Sequence, residues 1–289
     1  MIRSAHARAI AQATGAQVVH SRALSGGDIA QASLLTLSDG RTLFYKTAPG
    51  VMFPAEARGL QELEGARAVR VPAVVVVADD FLVLEAIGTG SRGPGFFEGF
   101  GRRLARLHRH SSPQIGFVGD NFIGASPQPN PQASAGPGAW AAWFWEHRLL
   151  FQLRLAEEKR RARPALVRGM AQLEARVPTL LAHTDEPPSL LHGDLWGGNF
   201  LVDEGGQPVL IDPAVYYGHR EAELAMTLLF GGFPPAFYTA YEREWPLVPG
   251  WRERLPLYQL YHVLNHLNLF GTSYDSHAQG LVDACLAPR

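Results

Sequence analysis

A change of sequence pattern across one glycine-rich segment constrains the fold of this chain most. Residues 88–95 (GTGSRGPG) contain four glycines and a proline, a composition typical of a linker. Before this segment, short runs of apolar residues bounded by turn residues predict strands. After it, apolar residues recur at the three- and four-residue spacing of helices. The pattern therefore predicts a small strand-rich N-terminal part and a larger helical C-terminal part.

The N-terminal part is predicted to consist mostly of strands, with one or two helices. Strands are expected at residues 16–24, 32–37, 41–47, 73–78 and 81–86, and helices at the start of the chain and at residues 54–66. The Ser-Asp-Gly turn at residues 38–40 joins two alternating apolar runs, which indicates a hairpin.

The C-terminal part is predicted to be mainly helical with one long irregular segment. Phe97, Phe100, Leu104 and Leu107 share one helical face, and residues 140–158 and 257–267 also follow helical spacing. Residues 111–138 contain ten prolines or glycines. A loop of this length in a compact domain is usually functional or disordered.

Charge and cysteine content exclude several classes of protein. The 289 residues carry 26 Lys or Arg against 27 Asp or Glu, a net charge of −1, which argues against a protein that binds nucleic acid or an anionic membrane. The lone Cys285 excludes an internal disulfide and a multi-cysteine metal site. With so little cysteine, the cytoplasm is the expected compartment. No run of 18 apolar residues is present, so we expect no membrane span.

The segment LLHGDLWGGNFLVDEGGQPVLID at residues 190–212 carries the densest set of polar groups. Two short strands around the turn at residues 204–207 would hold Asp194 and Asn199 before the hairpin and Asp212 at its end. Two carboxylates and an amide suit Mg²⁺, which prefers oxygen ligands. The alternative is a polar hairpin whose acids only stabilise turns.

The order H-G-D-x-x-x-x-N followed by I-D resembles the catalytic centre of protein-kinase-like phosphotransferases. This resemblance implies Asp194 as the catalytic base, with Asn199 and Asp212 as metal ligands. Lys46, one of only two lysines, lies in a predicted strand and would bind nucleotide phosphates. Glu56, ten residues later on a predicted helix, would pair with it.

Two further segments occupy positions expected for nucleotide binding. Ser25, Gly26, Gly27 and Asp28 lie between the first two predicted strands, where glycines let backbone amides approach phosphate oxygens. Glu85 to Ile87 would offer backbone groups to adenine, an interpretation from position only. Neither G-x-G-x-x-G nor G-K-[ST] is present, so the chain has no protein-kinase glycine loop and no Walker A motif.

Across nearly its whole length the chain is similar to the fructosamine kinase (ketosamine-3-kinase) family, which is related to aminoglycoside and choline phosphotransferases. The similarity rests on SGGDI at 25–29, MFPAEARGL at 52–60, DNFIG with a following Q-x-N at 120–130, HGDLWGGN at 192–199, IDPAVYYGHREAELAM at 211–226, LFGGFP at 229–234 and YQLYHVLNHLNLFG at 258–271. It adds a substrate-binding set: Asn121, Gln128, Asn130 and Trp196. One residue departs from the family pattern, because Glu223 stands where aspartate is common.

The resemblance implies an α+β, protein-kinase-like two-lobed fold, with a small antiparallel-sheet lobe at residues 1–87 and a larger, mainly helical lobe at residues 88–289. It further implies an enzyme that uses ATP and Mg²⁺ to phosphorylate O3 of the sugar in fructosamines or ribulosamines, whether free or on proteins, so that the adduct breaks down and frees the amine. We expect a monomer with no nucleic-acid or membrane partner. The alternatives are a small-molecule kinase of the aminoglycoside or choline type and a non-catalytic nucleotide-binding protein.

Overall fold

The computed structural model describes residues 2–24, 30–182 and 184–288. The chain divides into two compact units. Unit 1 comprises Met1–Phe96 and Asn199–Pro213, and unit 2 comprises Phe97–Gly198 and Ala214–Arg289. The predicted domain boundary between residues 87 and 88 stays a prediction.

The secondary structure of the described residues alternates short strands with helices of up to 20 residues. The strands are β1 (Val18–Leu24), β2 (Gln31–Leu37), β3 (Thr42–Thr47), β4 (Val74–Val77), β5 (Phe81–Glu85), β6 (Gln114–Ile115), β7 (Asn121–Ile123), β8 (Ser126–Gln128), β9 (Ala133–Ser134), β10 (Ser189–Leu191), β11 (Phe200–Val202), β12 (Pro208–Leu210) and β13 (Tyr216–Gly218). The α-helices are α1 (Ser4–Thr14), α2 (Phe53–Ala66), α3 (Phe96–His108), α4 (Ala139–Phe144), α5 (Phe151–Glu158), α6 (Pro164–Glu174), α7 (Val177–Leu180), α8 (Arg220–Leu229), α9 (Pro235–Glu244), α10 (Trp251–Phe270) and α11 (Asp275–Leu286). A π-helix (Trp145–Leu150) joins α4 to α5, and a 3₁₀ turn (Thr272–Tyr274) precedes α11.

Unit 1 is built on a five-stranded antiparallel sheet in the order β1–β2–β3–β5–β4. The five strands predicted for this part are confirmed. Leu43 and Tyr45 of β3 are buried in one core with Ile10 of α1 and Phe81 of β5. Because neighbouring side chains of a strand point to opposite faces, the side chain of Lys46 lies on the face of the sheet opposite this core.

The hairpin β11–β12 packs within unit 1, although the chain before Asn199 and the chain after Pro213 belong to unit 2. The amide of Leu210 donates to the carbonyl of Arg70, and the amide of Gly90 donates to the carbonyl of Val202, each at 2.9 Å. A Cβ atom on Gly90 would lie 1.9 Å from the carbonyl oxygen of Asp203, so this close approach requires glycine.

The long helix α10 is the main packing element of unit 2 and contacts α5, α8 and α11. Leu257, Leu260, Leu264 and Leu267 are all buried, which confirms the helix predicted from their spacing. None of the helices described has the length and apolar composition that a membrane crossing requires.

Two segments of unit 2 differ from their sequence interpretation. Residues 111–138, predicted as a long loop, contain the antiparallel pairs β6–β9 and β7–β8. Strands of two or three residues carry too few side chains to show an alternating pattern. The helix predicted at residues 140–158 is present, but its centre is π-helical, a distinction that apolar spacing does not make.

Candidate active site

Lys46 is bonded to two carboxylates within unit 1. Its Nζ lies 2.8 Å from Oε1 of Glu56 on α2 and 2.5 Å from Oδ1 of Asp212. The Lys46 and Glu56 side chains are 11% and 15% exposed, whereas Asp212 is 48% exposed. Burial disfavours the charged amine, but the two carboxylates outweigh this effect and raise the pKa of Lys46 above its usual value. The ammonium is therefore charged at neutral pH and fixed in place.

The hairpin brings Asn199 and Asp212 to the same end. The strands pair Phe200 with Leu210, and the carbonyl of Asn199 then accepts a hydrogen bond from the amide of Ile211 at 3.1 Å. Asp212 follows directly with a φ of 55°, in the left-handed region that aspartate tolerates better than most residues. Asn199 is buried. The two residues predicted as metal ligands thus lie next to each other at the open end of one hairpin. Both belong to the same unit as Lys46.

Asp194 lies in unit 2, in the loop that follows β10. Glu223 of α8 holds this loop, because its carboxylate accepts hydrogen bonds from the amides of His192 (2.9 Å) and Gly193 (2.8 Å). His108 of α3 binds the same carboxylate at 3.0 Å. Burial favours the neutral acid, but the bond to His108 and the nearby charges outweigh it and lower the pKa of Glu223. The loop is thus anchored by a buried carboxylate.

The segment after Pro213 holds the same loop from a second side. The amide of Ala214 donates to the carbonyl of His192 at 2.8 Å. Gly193 has a φ of 87°, and a Cβ atom there would lie 2.0 Å from the carbonyl oxygen of Ala214. Gly193 is therefore required both by its backbone conformation and by this contact.

The three amide residues predicted to bind substrate are brought together, but in the interior of unit 2. Asn121 and Gln128 donate to the carbonyls of Val215 (2.7 Å) and Ala214 (3.0 Å), and both Gln128 and Asn130 donate to Oδ1 of Asn121. All three are at least 95% buried. In this arrangement they support the segment that contacts the Asp194 loop, and substrate binding by them stays a prediction.

Arg148 is a buried residue of this region that the sequence interpretation missed. Its guanidinium lies 4.1 Å from the ring centroid of Tyr216 and 4.4 Å from that of Trp143, and it donates to Oδ1 of Asn130 at 2.6 Å. Arg148 belongs to the π-helix. The sequence did show an arginine within an aromatic helical segment, which could have indicated a buried guanidinium. Its burial could not be predicted, because it depends on partners that are distant in the sequence.

The remaining predicted residues have different surroundings. The Glu85 carboxylate binds the Arg70 guanidinium at 2.5 Å and the Ala73 amide at 3.2 Å, so its side chain has a structural role, and adenine binding near Glu85 and Ile87 stays a prediction. Trp196 is 39% exposed. The predicted phosphate-binding residues lie outside the described residues: Ser25, Gly26, Gly27 and Asp28.

Sequence comparison relates this chain to known proteins. A family model for fructosamine kinase matches residues 2–288. A protein named probable ketoamine kinase from Synechocystis sp. is 40% identical, covering 97% of this chain and 95% of that protein. The chloroplastic protein-ribulosamine 3-kinase of Arabidopsis thaliana is 36% identical, covering 92% and 82%.

Comparison with solved structures leads to the same family as the sequence comparison. A crystal structure from Thermobifida fusca, described as a fructosamine-3-kinase, has a TM-score of 0.88 at 34% identity and covers 97% of this chain and 98% of that one. An aminoglycoside phosphotransferase has a TM-score of 0.61 at 16% identity, with coverage of 97% and 98%, a likeness of fold alone. The predicted α+β, protein-kinase-like fold is confirmed, with an antiparallel sheet in the N-terminal part and helices in the C-terminal part.

Proposed function

We propose, because this chain belongs to the fructosamine kinase family, that it is an ATP-dependent kinase that phosphorylates O3 of the sugar in ketoamines. The observation that carries the proposal is the Lys46 ammonium fixed between Glu56 and Asp212, an arrangement suited to nucleotide phosphates. Phosphorylation at O3 would destabilise the adduct, which then releases its amine.

The nucleotide would be held by the charged groups of unit 1. Lys46 would bind phosphate oxygens, and Glu56 would keep the ammonium in place when Asp212 turns to another partner. A buried ammonium without Glu56 would be left without a fixed counter-charge. This division of roles follows from exposure, because Glu56 is nearly buried and Asp212 is half open to solvent.

Asn199 and Asp212 fit a magnesium ion in the chemistry of their donor atoms. An amide oxygen and a carboxylate at one end of a rigid hairpin supply hard oxygen ligands, and Mg²⁺ takes its other ligands from water and phosphates. When bound, the ion neutralises charge on the phosphates. The described residues contain no group of three or more His, Cys, Asp and Glu side chains that could hold a metal.

Asp194 would act on the acceptor. Its carboxylate accepts the proton of the O3 hydroxyl as that oxygen bonds to the γ-phosphorus, while the bond from phosphorus to the β–γ bridging oxygen breaks and ADP leaves. Most of the acceleration in such reactions comes from positioning and electrostatics. The anchored backbone of His192 and Gly193 supplies that positioning for Asp194.

The decisive experiment is a substrate panel. ADP release would be measured with a ribulosamine, a fructosamine and kanamycin, with and without Mg²⁺, and the phosphorylated product identified by mass spectrometry. We expect Mg²⁺-dependent phosphorylation of at least one ketoamine and none of kanamycin. Phosphorylation of kanamycin alone would assign the chain to antibiotic kinases, and nucleotide binding without turnover of any acceptor would refute an enzymatic role.

A further inference from the structure

A connected row of aromatic rings leads away from the Asp194 loop within unit 2. Consecutive ring centroids lie 4.7–6.3 Å apart. We call this set the aromatic row: Trp196, Phe230, His266, Phe270 and Tyr274. It begins two residues after Asp194 in the sequence and continues over the end of α8 to the C-terminal end of α10 and the 3₁₀ turn.

Three of the five rings of the aromatic row are exposed, whereas most large apolar side chains of the described residues are buried. Trp196 is 39%, Phe230 36% and Phe270 51% exposed, and they are the only aromatic side chains among the exposed large hydrophobic residues of the described chain. Isolated exposed apolar residues are common, but a contiguous exposed patch usually marks a binding surface.

We propose that the aromatic row is a subsite for the group attached to the ketoamine nitrogen, and that it selects apolar groups such as alkyl chains over compact charged ones. This inference rests on the proposed function. In a ketoamine the nitrogen is connected to O3 through C1, C2 and C3. When O3 is bound at Asp194, the group on nitrogen therefore lies only a few bonds away. There it would contact Trp196, the first ring of the aromatic row.

The chemistry of the aromatic row fits such a group. Its side chains carry no formal charge at neutral pH, since burial keeps the pKa of His266 below its usual value. The protonated secondary amine of a ketoamine is attracted to an aromatic face, and methylene groups gain by leaving water against the rings. A carboxylate close to the nitrogen would instead be desolvated against apolar rings without a partner.

The test is a series of ribulosamines with one sugar and different amines: methylamine, butylamine and hexylamine. Because the rings are about half exposed, each added methylene should raise kcat/KM roughly twofold, about half the effect of full burial. From methyl to hexyl we therefore expect a rise of at least about tenfold, carried by KM rather than kcat. Phe270→Ala should reduce this hexyl-to-methyl ratio severalfold.

Val118→Ala is the matched control, because Val118 is also in unit 2, is 71% exposed and does not belong to the aromatic row. It should retain the wild-type ratio. Phe230→Ala provides a second variant with the same expectation as Phe270→Ala, should the first not fold. Circular dichroism and the rate with the methyl compound report whether each variant is intact.

The outcomes separate this inference from the proposed function. Equal kcat/KM for all three amines in the wild-type protein would overturn the subsite while leaving a ketoamine kinase. A hexyl-to-methyl ratio unchanged in both phenylalanine variants would also overturn it. If Phe270→Ala instead converts a dimer to a monomer at an unchanged ratio, the aromatic row joins two copies of the chain and the subsite is refuted. No turnover of any ribulosamine would refute the proposed function itself.

Discussion

At the scale of the residue, the two carboxylates bonded to Lys46 differ in their access to solvent. Glu56 and the ammonium are both mostly buried, so this pair is protected from water and from salt. Asp212 is half exposed, so its carboxylate is open to another partner besides Lys46. In the proposed mechanism the two acids therefore have separate roles: Glu56 fixes the position of Lys46, and Asp212 binds the metal of the nucleotide.

Glu56→Gln tests the first of these effects. Glutamine keeps the volume but removes the fixed counter-charge of Lys46, and a charge-assisted hydrogen bond contributes about 1.5–3 kcal/mol. We expect kcat/KM for ATP to fall roughly 10–100-fold in a steady-state assay. Glu64→Gln, on the exposed face of the same helix, should behave as wild type. Unchanged ATP kinetics in Glu56→Gln would show that Lys46 needs no such partner.

Asp194→Asn tests the catalytic base. The amide cannot accept the hydroxyl proton, so kcat should fall by roughly 10²–10⁴ while nucleotide affinity stays close to wild type. Turnover is measured by ADP release and affinity by calorimetry with a non-hydrolysable ATP analogue. Asp79→Asn, at an exposed turn, is the control for a lost surface carboxylate. Wild-type kcat in the Asp194 variant would contradict the assignment.

At this scale the sequence predicted partners that are close along the chain. Glu56 follows Lys46 by ten positions, and both lie in elements with clear strand and helix patterns. The contact between Lys46 and Asp212 spans 166 positions, and the sequence analysis assigned Asp212 to metal only. The two hydrogen bonds that Glu223 accepts from the loop amides could not be predicted from the local sequence either. The sequence showed only that glutamate stands where aspartate is common in the family.

At the scale of the element, the Asp194 loop is held by hydrogen bonds to α8, and α3 supports them. Glu223 from α8 accepts two loop amides, and His108 from α3 holds that carboxylate. Nδ1 of His108 in turn bonds the hydroxyl of Tyr241 on α9 at 2.7 Å. Three helices thereby fix one loop, and a small shift of any of them would move Asp194.

Glu223→Gln tests this anchoring. One of the two amides would face an NH₂ group and lose its acceptor, which costs about 1–3 kcal/mol for a buried donor. We expect a lower melting temperature and a kcat reduced at least tenfold, with KM for ATP unchanged, because misplacement of Asp194 affects the chemical step.

Glu223→Asp is the matched variant, since it keeps a carboxylate that accepts from both amides but shortens the arm. It should recover part of kcat relative to Glu223→Gln. If Glu223→Gln loses stability but keeps full kcat, the carboxylate supports the fold without positioning Asp194.

Elements with long, regular patterns were predictable and short or unusual ones were not. The buried leucines of α10 and the strands of the first sheet agree with their periodicity. The pairs β6–β9 and β7–β8 depend on contacts that no local pattern encodes. In the π-helix, the buried guanidinium of Arg148 stacks on Tyr216, a residue distant in the sequence.

At the scale of the whole molecule, buried neutral histidines predict how stability depends on pH. Burial lowers the pKa of His219 to about 4 and that of His262 to about 3, and it also lowers the pKa of His108. All three lie in unit 2. An unfolded chain protonates histidine near pH 6.5, so it binds more protons than the folded chain once the pH falls below that value.

We therefore expect full stability above about pH 6.5 and a steep loss between pH 6.5 and pH 4, to which His219 alone contributes about 3 kcal/mol. Urea unfolding at pH 7.5, 6.0 and 5.0 measures this slope. His262→Gln should flatten it, whereas His277→Gln, at an exposed site, should not. A free energy of unfolding that is constant from pH 7.5 to 5.0 would contradict the prediction.

The division of the chain into units could not be read from composition. The glycine-rich segment follows the last strand of the first sheet, but the hairpin β11–β12 joins unit 1 through contacts with Arg70 and Gly90. Those contacts link segments more than 100 positions apart, and the sequence offers only Gly90 as a trace of them.

This arrangement has a consequence for biosynthesis. A ribosome releases the first 96 residues well before it makes residues 199–213, and about 100 residues take roughly 5–20 s to translate. Throughout that time the nascent sheet has no hairpin to occupy the carbonyl of Arg70 and the amide of Gly90. Unit 1 therefore completes its structure only after about three quarters of the 289 residues have been made.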